Sequence, residues 1–305
     1  MTRVSSAQIP MASLAHLSKA QQEVVEAARQ SSAQTKANDL KGYGREAQTL
    51  VSAQRLVART QGFIVTGREL QTRMQIQDVA LGRAGEIVGK LKEDLFQNVG
   101  LESGEGVRSS LEEAFAVLKD TMNTNLGGRY LFGGVANDTA PVPVATLTDL
   151  AANPLATSLP PGADPQVMRV EEGRTVSAGL NAEDVISVAM GAIKRLAEID
   201  EATPFSGPLT PAQKQAIQDE LGTLSAAFDG ILGAQAENGR LLKEVDNAST
   251  RQTSQMEALD GAIGGIVNVD LAEVAVRLNQ AQFSYQASAG VFNVLRTMNL
   301  LDALK

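Results

Sequence analysis

The sequence predicts a mainly α-helical protein, built as an elongated antiparallel helical rod with a small inserted β-containing domain. Two long stretches, one in each half of the chain, repeat apolar residues at alternating steps of three and four, which is typical of paired helices. Aromatic residues make up only 4% of the chain, a composition that suits thin, long layers of small aliphatic side chains. The helical period disappears between Gly127 and Gly179, where several prolines indicate an insert.

The first segment, residues 1–40, is predicted to be an amphipathic helix, and the last segment, residues 269–305, carries a matching stripe. Both stripes are narrow and contain small residues, so an isolated terminal helix would bury too little surface to offset its ordering entropy. We therefore expect both segments to be disordered in the monomer and to pair on assembly. The expected assembly interface consists of Leu14, Leu17, Val24, Val25, Leu271, Val274, Leu278, Tyr285, Phe292 and Leu295.

Residues 41–128 are predicted to form the first half of the rod. From Phe63 to Leu95 the apolar positions follow two interleaved heptad series, interrupted by Gly67 and Gln77. A seam of this length requires a partner helix. Four arginines in this segment could contact an acidic partner, but we interpret them as a solvated helix face, because charged runs usually face water. They are Arg55, Arg59, Arg68 and Arg73.

Residues 129–178 are predicted to form an inserted β-containing outer domain. Its entry, "NTNLGGRYLFGG", turns on a glycine pair and runs through a short aromatic stretch. Later, Val167 and Val176 flank a Glu-Gly turn in "VMRVEEGRTV", which indicates a β-hairpin.

Residues 179–268 are predicted to form the second half of the rod. Asn181 is the expected cap of its first helix, and Thr210 with Pro211 marks the start of the second. A heptad seam follows from Ile217 to Leu259, a span of roughly 63 Å as a helix. The simplest way to bury the two seams is to lay these long helices against each other in antiparallel orientation.

Composition and motifs argue against several classes of function. A net charge of −8 repels polyphosphate, so nucleic acid is not an expected partner. The chain has no cysteine, and His16 is its only histidine, interpreted as a helix-surface residue, so neither a metal site nor a catalytic triad is expected. "GGRYLFGG" and "GAIGGI" lack the residues of a phosphate-binding loop, and we interpret both as turns or hinges. We expect no enzyme activity and no cofactor.

The start of the chain does not reach the continuous apolar run of a secretory signal, and no later stretch approaches ~18 apolar residues. We therefore expect no membrane insertion. If the protein leaves the cell, it is expected to do so without a cleaved signal peptide.

Short motifs occur at both ends of the chain and at the entry to the insert. They are Arg3, Val4, Ser5, Ala7 and Gln8 at the start, "NTNLGGRYLFGG" followed by Asp138, Thr139 and Pro141, "DLAEVAVRLNQAQFSYQAS", and the closing "NLLDAL". Together these motifs resemble the flagellin superfamily of bacterial flagellar axial proteins, and within it they are most similar to the hook–filament junction group, hook-associated protein 3. From about Val142 to Val176 no motif matches.

The resemblance implies a structural component of the bacterial flagellum that connects the hook to the filament outside the cell. It implies export in an unfolded state through the flagellum-specific type III apparatus, and terminal helices that pair into a coiled-coil core on polymerisation, with the insert facing outward. The implied partners are further copies of the chain in a ring, hook-associated protein 1, flagellin, and an export chaperone at the C-terminal helix.

Two other interpretations stay open at the level of the sequence. The first is a filament flagellin of the same superfamily, since "SSAQTKANDLKGYGREAQTL" stands where members usually carry a Ser-Gly-Lys-Arg segment and an Asp-Asp-Pro turn. The second is a helical coiled-coil signalling or adaptor protein, which would be expected to continue its seams without an inserted β domain.

Overall fold

The computed structural model describes residues 5–302 and is mainly α-helical, which confirms the predicted fold class. Of the sequence motifs, Arg3, Val4 and the end of "NLLDAL" lie outside the described residues. A 3-10 helix spans Leu40–Glu46. The α-helices are α1 Ser5–Ala33, α2 Ala47–Leu101, α3 Val107–Met122, α4 Leu147–Ala152, α5 Leu155–Ser158, α6 Ala182–Ala202, α7 Pro211–Val267 and α8 Leu271–Asp302. The strands are β1 Asn125–Leu126, β2 Arg129–Tyr130, β3 Gln166–Glu171 and β4 Arg174–Ala178.

The chain divides into two compact units. The terminal unit contains the residues up to Arg59 and from Met256 onward, and the central unit contains Thr60–Gln255. The division of the sequence into five segments stays a prediction.

In the central unit, α2 and α7 run antiparallel and bury the predicted seams. Gln71 Nε2 donates to Asp246 Oδ1 at 3.0 Å, and Asn238 Nδ2 donates to the Met74 carbonyl at 2.9 Å, so residue numbers rise on α2 as they fall on α7. One heptad series of α7 is buried throughout this unit, namely Ile217, Leu224, Ile231, Asn238, Val245 and Gln252, and the series four residues further on is half-buried. The predicted pairing of the two long helices is confirmed here.

The predicted start of α7 is confirmed in its details. Pro211 is the first helical residue, where its missing N–H costs nothing. The Gln213 N–H donates to Thr210 Oγ1 at 3.2 Å, and the Thr210 N–H donates back to Gln213 Oε1 at 3.0 Å, which is a reciprocal capping arrangement. Asn181 also occupies its predicted cap position before α6, but its side chain makes no capping hydrogen bond.

A continuous hydrophobic core fills the central unit around these helices. One face of α3 and one face of α6 pack together, α4 covers both, and their apolar residues join those of α2 and α7. The largest fully buried side chains include Leu81, Leu91, Leu111, Leu118 and Ile186. Burial of this many Leu and Ile side chains, at about 2 kcal/mol each, makes this unit the stable part of the described chain.

The aromatic entry to the insert belongs to this core. Gly127 and Gly128, at φ +62° and +83°, form the two-residue turn between β1 and β2, as interpreted from the sequence. Leu131 and Phe132 follow it and are buried. The Leu131 carbonyl accepts a hydrogen bond from Gln77 Nε2 on α2 at 2.8 Å, and the Phe132 carbonyl accepts one from the Ala182 N–H at the start of α6 at 2.9 Å. The short aromatic stretch therefore fixes the insert to two helices.

The β3–β4 hairpin confirms the predicted Glu-Gly turn, with Gly173 at φ +72°. Its Val170 and Val176 pack with Leu70, Met74 and Val245 of the long helices in a small separate hydrophobic cluster. The resemblance implied that the insert faces outward, but this face of the hairpin lies against α2 and α7, because Val170 and Val176 bury apolar surface there. Its opposite face is exposed, as Val167 shows.

The interpretation of "GAIGGI" as a turn or hinge is wrong. Gly261, Gly264 and Gly265 lie inside the last turns of α7, which continues to Val267. The chain reverses only after that residue, because Asn268, Val269 and Asp270 leave the helix before α8 begins at Leu271. The helix-breaking tendency of glycine is weak enough, about 1 kcal/mol per residue, for a long paired helix to override it.

Candidate assembly surface on the terminal helices

In the terminal unit, α1 and α8 pack against each other in antiparallel orientation. Cα atoms of the two helices lie within 8 Å of each other, and Arg277 Nη2 on α8 donates to Gln30 Oε1 on α1 at 3.0 Å. The residues buried most completely along this inner seam are small or β-branched: Ala20, Ala27, Val274 and Ala281. Small side chains at the contact allow two helix axes to approach closely.

The predicted assembly residues differ in how far the structure buries them. Val274 is fully buried in the inner seam, and five others are half-buried: Leu17, Val24, Leu278, Phe292 and Leu295. The remaining four are exposed, namely Leu14, Val25, Leu271 and Tyr285. Their role in contacts between subunits stays a prediction.

Sequence reasoning missed a second apolar stripe on α8, which we call the outer stripe. It consists of Val276, Phe283, Val291 and Val294, which are 65%, 73%, 55% and 58% exposed. At 100° per residue these positions fall within one quadrant of the helix, nearly opposite Val274 and Ala281. The heptad spacing from Val276 to Phe283 could have indicated the outer stripe. The prediction rested instead on the stronger apolar series of α8, which forms the inner seam with α1.

The surface of α8 around Phe283, Val291 and Val294 of the outer stripe is uncharged. No charged residue occurs between Arg277 and Arg296, a distance of about five helical turns. Met11, Leu14 and Val25 give α1 an exposed apolar face as well. Large exposed apolar side chains without interspersed charge are typical of surfaces that become buried against a partner.

A groove runs between α1 and α8 beside the outer stripe. One part of it, with a volume of about 580 Å³, is lined on the α1 side by the charged Lys19, Glu23 and Glu26 and on the α8 side by Gln280, Ala281 and Ser284. Further along, Ala20 of α1 and Ser288 of α8 line its continuation, with Phe283 among the lining residues. A groove with a floor of small residues accepts the ridge of another helix.

An ion pair on α1 holds Glu26, one of the charged residues beside the groove, in its ionised form. Arg29 donates hydrogen bonds to both carboxylate oxygens of Glu26, at 3.0 and 2.7 Å, and these bonds lower the pKa of Glu26 below its usual value. His16 lies exposed on α1, as expected for a helix-surface histidine. The arrangement offers helix packing and surface charge, and it brings no nucleophile together with a base.

One interpretation of the arginines on α2 is wrong. Arg55 and Arg68 are exposed, as a solvated face requires, but Arg73 is buried and donates to Gln166 Oε1 on β3 at 2.5 Å. Burial lowers the pKa of Arg73 from its usual value. Its side chain instead helps to hold the hairpin, because β3 packs directly over this part of α2.

Two properties of the described residues, 5–302, bear on the class of function. These residues contain no cluster of three or more His, Cys, Asp or Glu side chains arranged to hold a metal ion. Among the same residues, none of the helices combines the length and the apolarity needed to cross a membrane.

Comparison with known proteins shows which fold this is. Neither a protein-family model nor a curated protein matches the sequence. The structure is similar to that of a candidate flagellar hook-associated protein from Vibrio parahaemolyticus, with a TM-score of 0.60 and 16% identity over 73% of this chain and 97% of that one. A second structure, Bacillus cereus FlgL, matches with a TM-score of 0.49 and 16% identity over 66% of this chain and 98% of that one. The chain thus has the fold of the Vibrio protein, which confirms the suspected resemblance at the level of the fold.

Proposed function

We propose that this chain is a non-enzymatic structural component of the bacterial flagellum that joins the hook to the filament. The observation that carries the proposal is the uncharged outer surface of α8 after Arg277, on which Phe283, Val291 and Val294 are exposed. Such a surface costs free energy in water, roughly 25 cal/mol for each Å² of apolar area, and is stabilised by contact with another subunit. The fold shared with a candidate hook-associated protein supports the flagellar assignment.

In this proposal the terminal helices form the contacts between subunits, which make a ring of identical copies. Hook-associated protein 1 lies on one side of the ring and flagellin on the other, outside the cell. The subunits are exported through the type III apparatus, with a chaperone covering the C-terminal helix until export. Because α8 exposes large apolar side chains without charge, such a cover would prevent association inside the cell.

The mechanism couples folding to assembly. The inner seam of α1 and α8 buries mostly alanine and valine, which release little free energy on their own. The rest of the free energy that orders the terminal helices is released when the outer stripe and the exposed residues of α1 become buried between subunits at the growing end. An exported subunit therefore stays monomeric in solution and becomes fully ordered only in the assembly.

Point substitutions test the proposed surface. Phe283→Asp places a charge in the outer stripe, and Leu278→Asp or Phe292→Asp places one in the inner seam. Each should leave the central unit folded and abolish incorporation into flagella, measured by immunoblotting of sheared flagella. The matched control is Phe96→Asp, because Phe96 is 68% exposed on α2 of the central unit, close to the 73% of Phe283. Normal incorporation of the Phe283→Asp and Phe292→Asp variants would contradict the proposed mechanism.

Deletion of the gene tests the role itself. Microscopy of the cells and analysis of the medium should reveal bare hooks on the cells and unpolymerised flagellin in the medium. Normal hooks with filaments of altered length or composition would instead identify the chain as one of several flagellins. Unchanged flagella with altered signalling would contradict a flagellar role altogether.

A further inference from the structure

Arg73 on α2 is a buried cation that uses little of its hydrogen-bonding capacity. It is 9% exposed, and its Nη1 donates to Gln166 Oε1 of β3. A guanidinium has five N–H donors, so most of them find no acceptor among the described residues. None of its nitrogens is among the described side-chain atoms that are sealed from solvent without a partner. The unused donors of Arg73 are therefore open to a ligand that enters from solvent.

A second arginine, Arg129, lies beside the first. β2, which carries Arg129, continues into Leu131, whose carbonyl accepts from Gln77, one helical turn after Arg73 on α2. β3 lies over Arg73 itself through Gln166. The two hairpins thus cover adjacent turns of α2 and bring the two arginines together. Burial, together with the like charge of Arg129, lowers the pKa of Arg73.

The pair of like charges is only weakly compensated within the chain. Glu69, one turn before Arg73 on α2, attracts the guanidinium but is exposed and makes no hydrogen bond with it. A buried charge without a hydrogen-bonded counter-charge is costly. An anion between Arg73 and Arg129 would accept the unused donors and offset the repulsion. The planar fork of a guanidinium matches the two oxygens of a carboxylate, which defines the chemistry that this pair can bind.

We propose that Arg73 and Arg129 form a carboxylate-binding site, occupied in the assembly by an acidic side chain of a neighbouring copy of this chain. The central unit contains 26 acidic against 16 basic residues, so neighbouring copies repel each other and present carboxylates where they meet. Other cations of the unit are already neutralised within it, as in the ion pair of Arg108 with Asp200. The copy as donor rests on the proposed function, whereas the site itself does not.

Binding of inorganic sulfate to the purified full chain tests the site without assembly. Thermal unfolding is measured in sulfate and in chloride at equal ionic strength, and variants are compared because sulfate also stabilises proteins non-specifically. At about 50 mM sulfate, the midpoint of the natural chain should rise about 3 °C further than that of Arg129→Gln. Glu69→Gln removes a competing carboxylate and should enlarge the rise. The matched control Arg83→Gln, at an exposed position of α2, should behave as the natural chain does.

Zero-length cross-linking in isolated flagella identifies the donor of the carboxylate. Arg129→Lys places an amine in the site, and a carbodiimide joins an amine to a carboxylate only where the two are in direct contact. The expected product is a covalent dimer of the chain, in which mass spectrometry finds the introduced amine linked to an acidic residue of the second copy. The control Arg83→Lys should give no dimer through its introduced amine.

The possible results separate the site from its occupant. Equal midpoint rises for the natural chain and Arg129→Gln would overturn the site, and so would a lower midpoint of Arg129→Gln in chloride, since the arginines would then not repel each other. A cross-link only to another protein, or none in flagella that contain the chain, would overturn the neighbouring copy as donor. Absence of the natural chain from flagella would contradict the proposed function and with it that donor, while the sulfate result would still decide the site.

Discussion

The α2–α7 pair of the central unit and the α1–α8 pair of the terminal unit are both antiparallel, but they bury different residues. The first pair buries Leu, Ile and Met along its seam, and further helices cover it. The second buries mainly Ala and Val, and its larger apolar side chains, such as Phe283, point to solvent. In one pair the hydrophobic free energy is used within the chain, whereas in the other most of it is still available for contact with a partner.

The two pairs also obtain their specificity differently. In the central unit, large side chains of unequal shape interlock, and the buried Asn238 and Gln77 fix the position of α7 and of the insert by hydrogen bonds to main-chain carbonyls. In the terminal unit the seam is nearly uniform, and the polar contacts lie at one end of the helices, around Lys36. Folding within a chain and folding on assembly thus leave different sequence patterns.

A leucine-to-alanine substitution in each helix pair tests whether the two pairs differ in the free energy that they contribute to folding. Leu91→Ala opens a cavity in the central core, where Leu91 is 1% exposed, and should lower the free energy of unfolding by about 3 kcal/mol. Leu17→Ala, at a half-buried position of α1, should lower it by less than about 1 kcal/mol. Urea denaturation followed by circular dichroism measures both, and similar losses for the two variants would contradict the distinction.

Gly134→Ala tests the claim that the insert is an integral part of the central unit. Gly134 has φ +60°, and a Cβ there would lie 2.5 Å from the Ala163 carbonyl oxygen and 2.7 Å from Asn181 Oδ1. The substitution should cost about 2 to 3 kcal/mol, from left-handed backbone strain together with the displacement of these atoms.

The control for that substitution is Gly173→Ala in the hairpin turn. Gly173 has a similar φ of +72°, but nothing lies within 4 Å of its would-be Cβ, so only the backbone strain of about 1 kcal/mol applies. Thermal unfolding of both variants gives the difference. Equal losses would mean that the close contact around Gly134 does not hold the insert in place.

A smaller effect is expected from the ion pair that ties the hairpin to α7. Arg251 Nη2 donates to Glu171 Oε2 at 2.9 Å, and this hydrogen bond lowers the pKa of Glu171. Because the folded-state pKa is depressed, the stabilisation is present above the unfolded pKa of about 4.3 and is lost as the pH falls through the folded-state value. Both side chains are partly exposed, so solvent screening keeps the contribution of this ion pair to stability small.

Arg251→Leu should therefore lower the stability slightly at pH 7, and the difference from the natural chain should disappear as the pH falls below the folded-state pKa of Glu171. Urea denaturation at a series of pH values measures this difference. A difference that grew as the pH fell would contradict the assigned ion pair.

The sequence predicted the parts of the fold that depend on local pattern. The α2 and α7 seams, the start of α7 at Pro211 and the turn at Gly173 follow from heptad spacing, proline geometry and the φ > 0 requirement of a tight turn. These rules involve residues close together in the chain. They therefore apply before any tertiary contact is known.

Features that depend on contacts between distant residues could not be predicted in this way. Arg73 was interpreted as solvated because nothing in its neighbourhood reveals that β3 covers it. Similarly, Phe283 was missed because a helix with two apolar stripes does not show from sequence which stripe meets α1. The junction between the end of α1 and the start of α8 depends on a bridge between Thr35 and Asn268, which are far apart in the chain.

Hydrogen exchange of the unassembled chain tests the central claim most directly, because it measures the local stability of both helix pairs in one experiment. Amides around Leu81 and Leu224 of the central unit should exchange only through global unfolding, whereas those around Leu17 and Phe292 should exchange through local opening, several orders of magnitude faster. Protection should increase along α1 and α8 towards their joined ends, where Thr35 is bridged to Asn268. Equal protection in the two pairs would contradict the account, since the terminal helices would then be stable without a partner.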